Sequence, residues 1–591
     1  MKIQNRFLVS TTRNAALAAA VAVAACAGPQ ETRTTAQTGT TAPPSKVETD
    51  SAIQTRSSEP HQRVEQDNRL HEIPQTAAAI DVLPAMAIRQ AVAFAPPAPP
   101  VYRQPVDTER YEHLDENPVR LAAEHPVSTF SIDVDTGAYA NVRRFLNQGR
   151  LPPQDAVRVE EMINYFDYDY AAPATRDTPF KVSTELSQAP WNDAALLLKI
   201  GIKGFEVAAK DRPPANLVFL IDVSGSMHSP DKLPLLKNAF RLLADQLTAR
   251  DRVSMVVYAG SSGVVLEPTA GDQKYKILDA IDRLEAGGST NGADGIRRAY
   301  QLAHQGHVKG GINRVVLATD GDFNVGLVDF EQLVDLVERE RASGVALTTL
   351  GFGTGNYNDR LLERLADAGN GNYAYVDTLS EARKVLVSEL SSTLFTIAKD
   401  VKIQIEFNPA AVLEYRLIGY ENRMLAREDF NNDKVDAGEI GAGHRVTALY
   451  EIVPVGSQGR IDPLRYGAAT APTDKSGELA HLRLRYKPPQ ADESRLLEYP
   501  ILRRSVVAKD RTSPDFRFAA SVAAFGQMLR EGKYTSDFGF DDVQALAKSA
   551  LDKDEEGYRR EFVSLVKLAQ TLAPRTPAAA ARIDHANRPG D

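Results

Sequence analysis

Residues Asn216 to Phe240 read NLVFLIDVSGSMHSPDKLPLLKNAF. Leu217 to Ile221 is an apolar run suited to a buried parallel strand. It runs into Asp222, Ser224 and Ser226, three oxygen-bearing side chains at alternate positions that strand geometry sends the same way. A helix follows, with Leu236, Phe240, Leu243 and Leu247 on one face, the spacing of a helix that covers a sheet.

The same texture extends to about Leu394. Strands are expected at 217–222, 253–258, 314–319, 346–352 and 373–376. Helices are expected at 233–248, 274–285, 293–305, 329–341, 359–367 and 379–394. Short apolar strands separated by amphipathic helices predict an α/β doubly wound, Rossmann-like domain over residues 213–397. In such open sheets the loops at the carboxyl ends of the strands form the ligand crevice. Three sets of polar residues collect there: Asp222, Ser224 and Ser226; Thr290, in EAGGSTNGADG (285–295); and Thr319-Asp320-Gly321, in VVLATDGDFNVG (315–326). All are hard oxygen donors, without sulfur or imidazole, which suits octahedral Mg²⁺ or Mn²⁺ rather than zinc. Gly225, Gly287, Gly288 and Gly321 let the loops approach a small ion closely.

D-x-S-x-S, a distant Thr after Gly-Gly, and T-D-G at a strand end resemble the metal-ion-dependent adhesion site of von Willebrand factor type A domains. The resemblance implies that Ser224, Ser226 and Thr290 bind the metal directly. It also implies that Asp222 and Asp320 act mainly through waters or close contacts behind the ligands, and that a partner's carboxylate fills the open position. Over residues 119 to 575 the chain further resembles bacterial lipoproteins of the YfbK type. STFSIDVDTGAYANVRRFLN (128–147) and FNNDKVDAGEIGAGHRVTALYEI (430–452) carry that likeness.

Around the α/β unit the texture differs. Residues 119–180 read as a strand, a turn and two helices, the family-specific N-terminal region. FKVSTELSQAP, ALLLKIGIKGF, VKIQIEFNP, VTALYEIVPV and LAHLRLRYKPP alternate like strands with one exposed face. They predict one β-sandwich, residues 181–212 and 398–503, into which the α/β domain is inserted. Residues 504–575 read as a C-terminal helical region of three helices, and 576–591 as a Pro- and Ala-rich tail.

The N-terminus has the layout of a secretory signal peptide over residues 1–25, with Lys2, Arg6 and Arg13 ahead of the apolar Ala15–Ala25. Cys26, the sole cysteine, follows small residues in the manner of a bacterial lipobox and is the expected lipid attachment. Ala27 and Gly28 resemble the outer-membrane sorting pattern of Gram-negative bacteria. Residues 26–118 are rich in Thr, Ala, Pro and Gln and predict a disordered tether. About 90 such residues span on the order of 50 Å. A net charge of −9 over 591 residues argues against a nucleic-acid binder, which would need a basic face.

Other signals are weaker. FSIDVDTG (130–137) resembles the start of a haloacid dehalogenase-type phosphatase, with Asp133 as nucleophile and Asp135 as acid, but a structural Asp-rich turn fits better. DFNNDKVDAGEI (429–440) begins like a calcium loop at Asp429, Asn431 and Asp433. It then has Lys434 where Gly belongs and Ile440 where a bidentate Glu belongs. His304 and His307 lack a third ligand, and GFGTGN (351–356) lacks the rest of a dinucleotide fingerprint. The expected function is a lipid-anchored envelope binding, adhesion or scaffold protein, not an enzyme, that recognises an acidic group of a protein partner through bound metal. The alternatives are a metal-assisted envelope hydrolase and a structural envelope protein with a fold-stabilising metal.

Overall fold

The computed structural model describes residues 108–175, 177–289, 292–321, 330–462 and 477–574. The chain first forms strands β1 (Arg120–Leu121) and β2 (Val127–Ser131), then helices α1 (Gly137–Asn147) and α2 (Val159–Asn164). A long hairpin follows, β3 (Phe180–Ala189) and β4 (Asn192–Gly204). The α/β unit begins with β5 (Ala215–Asp222), α3 (Leu233–Gln246), β6 (Arg252–Tyr258), β7 (Ser262–Ala270) and α4 (Lys274–Asp282). It continues through α5 (Gly292–Gln305), β8 (Ile312–Thr319), α6 (Phe330–Ala342), β9 (Ala346–Phe352), α7 (Asp359–Ala368) and β10 (Tyr373–Val376). Two short helices, α8 (Leu379–Arg383) and α9 (Leu390–Leu394), lead out into β11 (Thr396–Phe407), β12 (Val412–Ile418), β13 (Ile440–Gly441) and β14 (Arg445–Pro454). The hairpin β15 (Glu478–Lys487) and β16 (Arg495–Leu502) precedes α10 (Pro514–Leu529), α11 (Phe540–Lys548) and α12 (Tyr558–Leu572).

The α/β sheet has the order β10-β9-β8-β5-β6-β7 and is parallel apart from β7. One face is packed by Leu236, Phe240 and Leu243 of α3, with Ile277 and Ile281 of α4, over Leu217, Phe219 and Ile221. The other is packed by Ile296, Leu333, Val337, Leu362 and Leu365 over Val218 and Leu220. Every residue of β5 is buried, which explains why its sequence shows no alternation.

Two elements of the α/β domain depart from expectation, and the flanking sheets take in β1 and β2 from the N-terminal region, with β12 and β16, beyond the strands expected for them. Strand β7 was not anticipated: its Glu267-Pro268 pair interrupts the pattern. The structure accommodates the pair at an irregularity in the antiparallel edge, where a missing N–H costs little. The helix expected over 379–394 is instead α8 and α9 separated by a π-turn at Lys384–Ser388. There the Glu389 amide reaches back five residues to the Lys384 carbonyl, while the buried Lys384 ammonium binds the Glu389 carboxylate at 2.5 Å.

The flanking strands form two sheets, β1-β12-β14-β4-β3 and β13-β11-β15-β16, the latter with β2 paired to β11. Ile200, Ile202, Leu417 and Tyr450 of the first pack against Ile403, Ile405, Leu482 and Leu484 of the second. The chain leaves this sandwich after β4 and returns at β11, so the α/β domain is an insertion. A helical layer of α1, α2, α10, α11 and α12 covers the outer side of the first sheet, with Phe518, Phe525, Val543 and Phe562 beside Leu197 and Leu449. Helix α10 is buried all round because it is the middle of that layer.

Three arginines, Arg143 and Arg158 buried and Arg423 nearly so, link these parts. Arg423, between β12 and β13, reaches Asp133 at 3.3 Å, Asp135 at 3.4 Å, and Glu363 and Asp367 of α7 at 3.6 and 2.7 Å. Arg158 binds Asp359 at 2.7 Å and Glu363 at 3.2 Å, and also pairs with Glu161. Arg143 of α1 pairs with Asp377, with Glu381 of α8 at 2.7 Å, and with Glu561 of α12 at 3.3 Å. Burial opposes the charge of Arg423, yet Asp133, Asp367, Glu363 and Asp135 together hold its pKa well above the ordinary guanidinium value. Removing one cation here strands several carboxylates away from water. Arg423→Ala should therefore destabilise the protein by about 3–5 kcal/mol in urea unfolding. Arg364→Ala, which breaks an exposed pair with Glu331, should cost less than about 1 kcal/mol. Equal midpoint shifts for the two variants would contradict this ranking.

Candidate metal centre

In the α/β sheet the strand order reverses between β5 and β8, since β5 connects onward to β6 while β8 lies on its other side. Such a switch point opens a crevice at the carboxyl ends of the two strands. Asp222 closes β5, and Asp320 immediately follows Thr319 at the end of β8. Both aspartates have no exposed surface, Ser224 is buried, and Ser226 stands exposed in the short helical turn Gly225–His228.

Asp222 is held on both oxygens. The Ser224 amide donates to Oδ1 at 2.9 Å. The Thr319 hydroxyl donates to Oδ2 at 2.9 Å, and the Tyr258 hydroxyl, from the end of β6, donates to the same oxygen at 3.2 Å. Burial pushes the Asp222 pKa up to about 6, with the Asp320 charge adding to the rise and the Ser224 hydrogen bonds opposing it. A cation beside it would reverse that direction.

The serine hydroxyls of Ser224 and Ser226 lie 3.0 Å apart. At that distance either can donate to the other. It is also compatible with adjacent corners of an octahedral shell at Mg²⁺ bond lengths, about 2.9 Å. The donor set and its spacing therefore fit Mg²⁺ or Mn²⁺. The loop that leads to Thr290 is tied to the serine turn by Gly225 N–H to Gly288 O at 3.0 Å and Gly287 N–H to Val223 O at 2.7 Å. Thr290 itself lies outside the described residues, as does Cys26. Gly321, at φ +87°, has no room for a side chain, because a Cβ would sit 2.3 Å from the Asn358 amide.

Sequence reasoning missed Lys232. Its ammonium, buried at the start of α3, donates to Asp320 Oδ2 at 2.9 Å and to Asn356 Oδ1 at 2.9 Å. Asn356 Nδ2 donates to the same Asp320 oxygen at 3.2 Å. Asn356 belongs to the GFGTGN turn, so that turn walls the crevice. A lysine followed by an apolar helix carries no signal of its own, and only the fold brings it to Asp320.

Asp133, Asp135, Asp433 and His304 are structural in their contacts, whereas Asp436 and Glu439 of the calcium-like loop bring carboxylate oxygens within 4.8 Å of each other and of Asp400. Asp133 and Asp135 are buried against Arg423; Asp133 Oδ1 accepts from the Asp135 amide at 2.9 Å, and Asp135 Oδ1 accepts from the Tyr373 amide at 2.9 Å. Burial and then the Asp133 charge push the Asp135 carboxyl up. In the calcium-like loop, Asp433 binds Arg485 at 3.1 Å and caps Ser494, while Asp429 accepts from the Ala426 amide at 3.3 Å. His304 pairs with Glu340 at 2.7 Å.

A family model described as von Willebrand factor type A domain matches residues 216–389. A second, described as von Willebrand factor, matches residues 105–199, and a third, "Uncharacterized protein YfbK, C-terminal", matches residues 392–572. The chain is 50% identical over 470 residues to protein YfbK of Escherichia coli (strain K12), a match covering 78% of this chain and 81% of that protein. Human inter-alpha-trypsin inhibitor heavy chain H3 is 25% identical over 260 residues, 40% of this chain and 28% of that protein. Among solved structures, a von Willebrand factor type A protein from Catenulispora acidiphila shares 16% identity at a TM-score of 0.38, covering 68% of this chain and 91% of that one. The inserted α/β unit is a von Willebrand factor type A domain, a module of protein interaction that often binds a divalent metal, and the chain belongs to the YfbK family.

Proposed function

We propose that the protein is a binding or scaffold protein of the cell envelope, lipid-anchored through Cys26, that recognises an acidic group of a protein partner through bound Mg²⁺ or Mn²⁺. Ser224, Ser226 and Thr290 would hold the ion directly, with Asp222 and Asp320 orienting its waters. The observation that carries this reading is the pair of serine hydroxyls 3.0 Å apart, above two aspartates with no exposed surface. When bound, the ion supplies a Lewis-acidic coordination position that a Glu or Asp of the partner can fill. The chain's own contribution is to fix the hydroxyls. The Ser224 amide, Thr319 and Tyr258 lock Asp222, and Asp222 in turn locks the serine turn.

The reading as a binding protein rather than a hydrolase rests on the absence of a poised base among these groups. Asp222 is occupied by three donors, Asp320 by Lys232 and Asn356, and the Asp133–Asp135 pair by Arg423 and backbone amides. The N-terminal lipobox supports the envelope location. Among the described residues no helix is long and apolar enough to cross a membrane.

Calorimetric titration of Mg²⁺ and Mn²⁺ into the EDTA-stripped protein should give saturable binding at one site. Ser224→Ala should weaken it at least about tenfold without changing the circular dichroism, since it removes one ligand hydroxyl from the turn after β5 and leaves the sheet intact. Identical titrations for the two proteins would remove the metal from the account. Gly321→Ala takes away no ligand, yet should abolish binding as well, because the added Cβ collides with the Asn358 backbone and displaces Asp320. Unchanged affinity in that variant would mean that Asp320 takes no part.

A further inference from the structure

Lys232 is built into the crevice rather than draped over it. Its side chain is buried, and its stem runs across Gly353, where a Cβ would meet Lys232 Cγ and Cε at 2.3 Å. Gly353 adopts φ +77°, and its carbonyl is fixed by the Tyr375 hydroxyl at 2.7 Å. The turn therefore has to be glycine for the lysine to pass, and it is held in place from below. At the far end the ammonium meets Asp320 and Asn356, both at 2.9 Å, with Asn356 also bound to Asp320. A side chain with this much provision is a fixed part of the site.

We propose that Lys232 is a resident counter-cation of the metal centre, one that limits how tightly the ion is held and gives the loaded centre a net positive charge. The proposal rests on the metal-site reading above. Among the described residues that line the centre, Asp222 and Asp320 carry the negative charge and Lys232 the positive charge. The three together leave one negative charge, and a divalent ion converts it to one positive. A partner carboxylate then brings the buried group to neutrality. Without the lysine, the loaded centre would already be neutral and the partner's carboxylate would leave an uncompensated charge, which a buried site disfavours. Lys232 thus weakens the bare metal and strengthens the acidic ligand. It is a positioning and charge-setting residue; it contacts Asp320 and is not itself a ligand.

Mn²⁺ titration of the full chain, following free Mn²⁺ by electron paramagnetic resonance, tests this with wild type, Lys232→Met, Lys232→Gln and Ser224→Ala. Methionine keeps the stem over Gly353, and glutamine keeps a hydrogen-bond donor for Asp320, so a fold lost in one is checked by the other. Both neutral variants should bind Mn²⁺ at least about tenfold more tightly than wild type, the size expected when a like charge leaves a poorly solvated site. A merely structural role would weaken binding instead. Equal or weaker affinity in both, with Ser224→Ala still weakening it at least about tenfold, sinks the lysine proposal and leaves the metal centre standing. If neither wild type nor the Lys232 variants bind Mn²⁺ in a manner sensitive to Ser224, the metal reading fails and the lysine proposal falls with it.

Discussion

A carboxylate with no exposed surface sits at the end of the central strand, and the surrounding elements are arranged to make it tolerable there. Burying Asp222 unpartnered would cost several kcal/mol, roughly the stability margin of a domain. Its partners come from three neighbouring strand ends: the Ser224 amide after β5, Tyr258 of β6 and Thr319 of β8. These donors meet only if the sheet has the order β8-β5-β6, so the topology and the site are one construction. The serine turn is a consequence, since the amide that satisfies Asp222 also aims Ser224 and Ser226 outward.

The same logic governs how the type A domain is mounted. Its chain ends both lead into the sandwich, through β4 and β11, and such a two-stranded attachment would leave room for rocking. The arginines remove that room. Arg423 and Arg158 bind α7, and Arg143 binds α8, so two helices of the type A domain are tied to the flanking regions by buried charge. Helix α8 continues through the π-turn and α9 into β11, which starts at Thr396.

What could be read from the sequence was whatever is encoded locally. The buried run Leu217–Ile221, the period-two oxygens after it and the period-3.6 stripe of α3 each lie within about one element, and all are present in the fold. The alternating strands on either side likewise announced a sandwich with an inserted domain. What could not be read depends on long separations. Lys232 meets Asp320 across 88 residues and Asn356 across 124. Arg423 meets Asp135 across 288, which is why FSIDVDTG could resemble a catalytic motif while serving as the acidic half of a buried ionic contact. Pro268 hid β7 because a proline inside a run argues for an edge, and periodicity cannot say which edge. The break at Lys384–Ser388 carries no signal in the sequence, because the lysine that pairs with Glu389 there is compatible with an ordinary helix.

The central claim is that a small divalent ion is coordinated where β5 and β8 diverge. Anomalous diffraction from crystals of the protein grown with Mn²⁺ addresses it directly. A single strong peak within bonding distance, about 2.0–2.2 Å, of both Ser224 Oγ and Ser226 Oγ is the expected result. A map with no peak there at saturating Mn²⁺, or with manganese bound only elsewhere, would contradict it.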